Sequence, residues 1–239
     1  MVNRKLLQLS LQSLMAHGCL EEKETKALIQ KCCQSCEENF SNDIFRSIIK
    51  EINTRIKKFS FEIRHGACED DDGQVYYCYV NTKEDNHAKL ATFYSVNELV
   101  FFNSILEQVV ASPDGLVIEN TILQAREQFT ARAAQRSLAR SLSHLVKEFL
   151  DRLVCDKWLS RTEDKEYHLG PRSLLDLLPF LQNRINSICS ICSSLAIRAQ
   201  QCPSCLSKAH VHCLSRLASG RNFIKCPRCD EDWKLKDCD

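Results

Sequence analysis

Four short pairs of ligand-type residues stand out near the C-terminus: Cys189-x2-Cys192, Cys202-x2-Cys205, His210-x2-Cys213 and Cys226-x2-Cys229, separated by nine, four and twelve residues. Thiolate sulfur and imidazole nitrogen are the donors zinc prefers, and a closed structural site takes four of them. Eight ligands therefore point to two structural Zn2+ ions with no open position for a reactive water. The x2 spacing is chemically apt, because the chain between two ligands turns its amide N–H groups toward the sulfurs. His210 keeps that spacing to Cys213, whereas His212 lies directly beside it, so His210 is the expected ligand. Seven thiolates and one neutral imidazole leave an excess of negative charge on two zincs, offset in part by Lys208, Lys225 and Arg228. Spacing does not decide how the pairs combine. A cross-brace joins the first with the third and the second with the fourth; two zinc knuckles in series are the alternative.

The chain has 15 cysteines in 239 residues, and eight of them lie from Cys189 onward. With no signal-peptide pattern and no apolar run of membrane-spanning length, the protein is expected to be intracellular, where clustered cysteines read as metal ligands before disulfides. The formal net charge of +1 excludes a whole-chain electrostatic footprint for nucleic acid, membrane or an acidic substrate. A tail of about 50 residues with few large apolar side chains cannot build an adequate core, and bound metal is the usual remedy.

The elements that must carry this tail follow from periodicity. Leu6, Leu7, Leu9, Leu14 and Met15 mark one face of a helix that stops at His17-Gly18. Glu21-Glu22 opens a second helix through Ala27, Leu28 and Ile29. A third begins near Asn42-Asp43 and carries Ile44, Phe45, Ile48, Ile49, Ile52, Ile56 and Phe59. The period then changes to two: Phe59, Phe61 and Ile63, a turn from Asp70 to Gly73, and Val75, Tyr77 and Tyr79 predict a β-hairpin. The order repeats. Asn97-Glu98 caps a helix with Leu99, Phe102, Leu106, Val109 and Val110. A helix over 117–128 follows, then a longer one from Ala131 with Leu138, Leu142, Leu145, Val146, Phe149 and Leu153. Trp158-Leu159 and Tyr167-His168-Leu169 form a second hairpin, and Pro171 starts a helix holding Leu174 to Leu181.

The expected fold is mainly α with small β-hairpins: a winged-helix domain over 1–92, a second over 93–184, and a two-zinc domain over 185–239. A winged helix binds either DNA or protein. Arg132, Arg136 and Arg140 recur every four residues as one basic stripe, a candidate contact for double-stranded DNA, although a solvated helix face is the simpler reading.

Seven cysteines and one histidine, with Cys189-Ser190-Ile191-Cys192 in front and Cys226-Pro227-Arg228-Cys229 at the end, resemble a RING domain of the variant class. The plant homeodomain finger shares the ligand order but usually carries an aromatic two residues before the last pair, where Ile224 stands; Pro227 favours RING. Tandem winged helices before such a domain resemble the non-SMC element one family of the SMC five–six complex. Leu14 to Glu22, Asp71-Asp72-Gly73, Tyr79-Val80-Asn81, Asn97-Glu98-Leu99 and Lys157-Trp158-Leu159 add to the likeness. That resemblance implies a cross-brace and a RING-type ubiquitin ligase subunit. It further implies a MAGE-family partner, a kleisin subunit and a ubiquitin-conjugating enzyme. The setting it implies is the nucleus, on chromosomes, in DNA repair by homologous recombination. Ile191, Pro227 and Phe223, with Leu217 as an alternative to Phe223, would contact the conjugating enzyme, and no residue acts as a nucleophile. Asp230 departs from active RINGs, which often place a basic residue there. It weighs against intrinsic activity and favours the alternative, a non-catalytic subunit whose zinc domain supports assembly.

Other motifs read as ordinary. Cys33-x2-Cys36 has no second pair nearby, and the cysteines outside the eight-ligand set, Cys238 included, need no special role. Glu69 to Asp72 resembles an acidic calcium loop, but Asp-Gly between alternating strands is a turn signal. His65, His87, His144 and His168 are expected as isolated surface or hydrogen-bonded residues.

Overall fold

The computed structural model describes residues 3–69, 73–83, 94–124 and 139–235. Helix α1 (Arg4–His17) begins where the Asn3 side chain accepts the Lys5 N–H. Strand β1 (Cys19–Glu21) leads into α2 (Glu22–Ser35), which opens with a reciprocal capping box between Glu21 and Glu24. Helix α3 (Asn42–Ile56) is capped by the Ser41 hydroxyl, which accepts the Ile44 N–H. A single 3-10 turn over Lys57–Phe59 follows, then β2 (Phe61–Ala67) and β3 (Val75–Asn81). The three strands form an antiparallel sheet in the order β1-β3-β2. Leu6, Leu14, Ile29, Phe45, Ile48, Ile52 and Ile63 close one core beneath it, and Cys32 and Cys33 are buried in the same core.

The second unit repeats that order. Helix α4 (Val96–Ala111) is followed by β4 (Val117–Ile118), α5 (Glu119–Gln124), α6 (Ala139–Cys155), β5 (Leu159–Arg161) and β6 (Glu166–Leu169). Its sheet runs β4-β6-β5, again with the first and third strands adjacent. Phe101, Phe102, Ile105, Phe149, Leu150, Trp158 and Tyr167 fill a second core.

The join between the units is made by α7 (Pro171–Asp176), with α8 (Leu178–Gln182) after it. Leu175 packs on Cys19, Cys78 and Val80 of the first sheet, and Arg64 donates to the Leu175 carbonyl at 2.6 Å. On its other side Arg172 lies over the Trp158 ring at 4.4 Å. Gly170 precedes this helix because the backbone passes so close to Lys157 that a Cβ would sit 2.4 Å from its carbonyl oxygen.

Several local expectations change. Ser95, not Asn97-Glu98, is the cap of α4; its hydroxyl accepts the Glu98 N–H and Glu98 reaches back to the Ser95 N–H. The helix expected over 117–128 starts as a strand, since Val117 and Ile118 pair with β6. The helix after Pro171 is two helices, because Pro179 has no N–H to carry the first one onward. Phe59 sits in the 3-10 turn and is exposed. Cys19 and Cys78, directly opposite each other on β1 and β3, are joined in a disulfide, a role the sequence reading did not assign them. His65 stacks on Tyr77, His144 faces Glu148 at 3.5 Å, and His168 is buried with Nδ1 3.3 Å from the Leu169 carbonyl oxygen.

The tail holds β7 (Gln200–Gln201), β8 (Lys208–Ala209), α9 (Val211–Ala218), β9 (Phe223–Lys225) and β10 (Asp232–Lys234). Its core is small: Ala196, Ala209, Leu214, Ala218, Ile224 and Trp233 among buried ligand-type cysteines and their half-buried neighbours.

Candidate metal centre

Three of the four ligand pairs sit on the same backbone turn. The residue after the second cysteine, Ser193, Leu206 or Asp230, is left-handed at φ 59°, 58° and 60°. Its N–H returns to the carbonyl of the first cysteine at 2.9, 3.0 and 2.9 Å. The N–H of the first cysteine in turn reaches the carbonyl of Ser194, Ser207 or Glu231. Such a turn leaves amides free to face the sulfurs, and Ile191 N–H donates to Cys189 Sγ at 3.4 Å. It also gives Asp230 a local reason: aspartate tolerates the left-handed region better than most residues. The fourth pair is different. His210 is the N-terminal flanking residue of α9 and Cys213 lies in its first turn, so helix geometry sets that spacing.

The turns bring all eight side chains into two groups. Cys189, Cys192, His210 and Cys213 form one; Cys202, Cys205, Cys226 and Cys229 form the other, with the donor atoms of each within 4.8 Å of one another. The first pair thus meets the third, and the second meets the fourth. In the first group His210 Nδ1 lies 3.4 Å from Cys192 Sγ and 3.8 Å from Cys213 Sγ. In the second, Cys202 Sγ is 3.7 Å from Cys229 Sγ and Cys205 Sγ is 3.7 Å from Cys226 Sγ.

Sulfur and imidazole donors, four per group, suit zinc. The electrostatics fit a bound cation as well. Burial opposes ionisation of Cys226 and Cys189, but amide N–H groups outweigh it and lower the thiols to about 6 and about 7. Burial and the charge at Cys189 push Cys213 up to about 12. The Glu231 N–H favours the Cys229 thiolate, yet burial and the sulfurs around it still lift that thiol to about 12. Opposite shifts within one group mean that its thiolates repel each other, and a divalent ion removes that conflict.

Outer contacts complete each group. Ser207 Oγ lies 3.1 Å from Cys205 Sγ and 3.6 Å from Cys226 Sγ. His210 turns Nε2 to the Leu195 carbonyl at 2.9 Å and to Glu69 Oε1 at 3.3 Å. Burial alone would lower the His210 imidazole, but the Glu69 carboxylate prevails and raises it to about 9. His212 stacks on His210 with centroids 4.9 Å apart and belongs to neither group. Glu69 and Ser207 are the residues sequence reasoning missed. Ser207 is two residues from a ligand and could have been suspected; Glu69 is more than a hundred residues away and gave no local signal.

The residues expected to meet a conjugating enzyme are spread out. Pro227 borders an open cleft of about 570 Å3 together with Ile188, Leu206, Lys208 and Arg228. Ile191 is half-buried against the tail core, and Phe223 is exposed on β9; neither lines that cleft. Leu217 is exposed on α9. Arg132 and Arg136, the Arg140 side chain, His87, Cys238 and the turn at Asp70 to Asp72 lie outside the described residues.

Helices with small sheets, closed by a C-terminal domain of interleaved Cys/His pairs, define a helical protein with a RING-like end. Residues 189–229 match the family model for the RING-like domain. Residues 7–177 match the model described as the Nse1 non-SMC component of the SMC5-6 complex. The chain belongs to the Nse1 family. It is 30% identical over 235 residues to the non-structural maintenance of chromosomes element 1 homolog of Homo sapiens, covering 97% of this chain and 84% of that one. The Rattus norvegicus homolog is 31% identical over the same shares, and the Saccharomyces cerevisiae protein 25% over 153 residues. A solved chain of an Nse1-Nse3-Nse4 complex superposes with a TM-score of 0.79 at 27% identity, covering 99% of both chains.

Proposed function

We propose that this protein is a RING-type ubiquitin ligase subunit that acts on chromosomes in the nucleus, in DNA repair by homologous recombination. The observation that carries this reading is the interleaving of two four-donor groups beside an open cleft at Pro227, bordered by Ile188 and Leu206 together with serines, Lys208 and Arg228. Two Zn2+ ions held by Cys189, Cys192, His210 and Cys213 and by Cys202, Cys205, Cys226 and Cys229 supply structural chemistry only: they fix the turns. The tail then acts by positioning. A ubiquitin-charged conjugating enzyme docks on the surface around Ile191, Pro227 and Phe223; a substrate lysine amine attacks the thioester, an isopeptide bond forms, and the enzyme's thiol leaves.

The body is read as two winged helices, over 1–92 and 93–184, that bind protein partners. The shared strand order of the two sheets supports this. So do Val96 and Val100, exposed on α4, and Leu145, exposed on α6 where it lines a cleft of about 850 Å3. The partners proposed are a MAGE-family subunit and a kleisin, in line with the three-component Nse1-Nse3-Nse4 complex to which the superposed chain belongs. The stripe at Arg132, Arg136 and Arg140 is kept as a proposed DNA contact.

The test is ubiquitin discharge from a charged conjugating enzyme by the chain with its MAGE partner. Stimulation by wild type, lost in Ile191→Ala with zinc content unchanged, is the expected result; no stimulation with any conjugating enzyme overturns the reading. A second reading, a non-catalytic assembly subunit, is favoured by Ile197 of the tail, which is buried in the core of the second unit. That reading fails if Cys226→Ala lowers zinc content but leaves partner binding intact.

A further inference from the structure

The first ligand group is backed by a residue from the first hairpin, more than a hundred residues away in the chain. Glu69 lies just beyond β2, and its carboxylate is only 7% exposed. One oxygen accepts the Ile197 N–H at 2.6 Å and the other the Arg198 N–H at 3.0 Å. The first also faces His210 Nε2 at 3.3 Å. Because His210 Nδ1 is the nitrogen turned toward the Cys192 and Cys213 sulfurs, the N–H that points outward belongs to Nε2. Glu69 and the Leu195 carbonyl share it. A carboxylate in that position sets the tautomer and ring orientation of a metal-binding histidine and makes its donor nitrogen more basic.

The loop that carries Glu69 grips the tail at a second point. Arg216 on α9 donates to the Gly73 carbonyl at 3.2 Å, and Gly73 approaches His212 so closely that a Cβ would lie 2.6 Å from the ring. Ile197, whose N–H Glu69 accepts, buries its side chain in the core of the second unit. Metal site, first hairpin and second core therefore converge on 195–198.

We infer that Glu69 is a positioning residue for the metal ligand His210, supplied by the first helical unit, so that occupancy of the first metal site and docking of the tail on the body are coupled. This inference rests on the zinc reading and deepens it. The coupling is reciprocal by linkage: whatever strengthens docking must strengthen ion retention at that site, and the converse. The second group, whose outer donor Ser207 comes from the tail itself, has no such link among the described residues.

The test uses the full chain with zinc bound, and follows transfer of the ions to a chromophoric chelator. Wild type should release two ions per chain. Glu69→Ala should speed release of one ion by about 10- to 100-fold, the cost usual for an outer-shell partner, and leave the other unchanged. Glu69→Gln keeps one acceptor oxygen but presents an NH2 group to backbone donors, and should fall between the two. After replacement by Co2+, the absorption of the site with one nitrogen donor should change in Glu69→Ala and recover in part in Glu69→Gln. Arg216→Ala removes the second grip without touching His210, so it should speed release of the same ion through weaker docking while leaving the cobalt spectrum as in wild type. Identical release and spectra in wild type and Glu69→Ala overturn the inference, as do Arg216→Ala release kinetics equal to wild type or a cobalt spectrum changed as much by Arg216→Ala as by Glu69→Ala. A wild-type chain that binds no zinc overturns the metal reading itself, a failure recognisable before any variant is made.

Discussion

The body and the tail close by different physical means. Each body unit buries large side chains: Phe45, Ile48 and Ile52 in the first, Phe101, Phe102, Phe149 and Trp158 in the second. The tail core buries mainly alanines and would-be ligands, with Leu214, Ile224 and Trp233 as its large apolar residues. Apolar burial at roughly 25 cal/mol per Å2 grows with size, and a segment of about 50 residues falls short of offsetting its ordering entropy. Coordination does not scale with size, so the short segment can fold where its core alone could not. On the proposed zinc reading each region depends on its own kind of bond, and each is vulnerable to its own kind of damage.

The two tryptophans report that difference separately, since Trp158 is buried in the second body core and Trp233 in the tail. Chelation should have the largest effect. Structural zinc contributes about 10–16 kcal/mol in small domains, so metal removal should unfold the tail outright. Measured in single-tryptophan variants, Trp233 emission should shift to the red while Trp158 emission and most helical circular dichroism persist; loss of both together would break the comparison. Next comes Trp158→Ala, expected to cost about 3–5 kcal/mol of body stability by denaturant titration, with two zincs still bound. The smallest is Leu206→Asn. Leu206 is exposed and left-handed, so relief of its backbone strain should stabilise the zinc-loaded tail by about 1 kcal/mol, read from the Trp233 transition.

Much of the body was legible because its signals are local. Helical spacing marked α1, α2, α3 and α4, and alternation marked β2 and β3, since the residues that share a face are three, four or two apart. Two of the misses share one cause. Cys19 to Glu21 is too short to show a period and becomes a strand only by pairing with Tyr76 to Cys78. Val117 and Ile118 become one only against Glu166 and Tyr167. Ser95 is a miss of another kind: Ser95-x-x-Glu98 is a capping box between residues three apart, a local pattern that outranks Asn97 as a cap.

The candidate site divides in the same way. Ligand identity and pair spacing were readable from the chain alone, because each Cys-x2-Cys turn is closed by hydrogen bonds between residues no more than five apart. Asp230, an anomaly when read for activity, is accounted for within such a turn. The grouping of pairs is another matter: Cys192 meets His210 and Cys202 meets Cys229 through the path of the intervening backbone, and only the folded tail decides it. Glu69 is the extreme case. Alone it is one acid before a turn; its meaning comes from Ile197, Arg198 and His210, brought within 3.3 Å by the packing of three units. Donor chemistry is a property of residues and short spacings, so sequence determines it. The company a donor keeps depends on contacts across more than a hundred residues, so tertiary structure decides it.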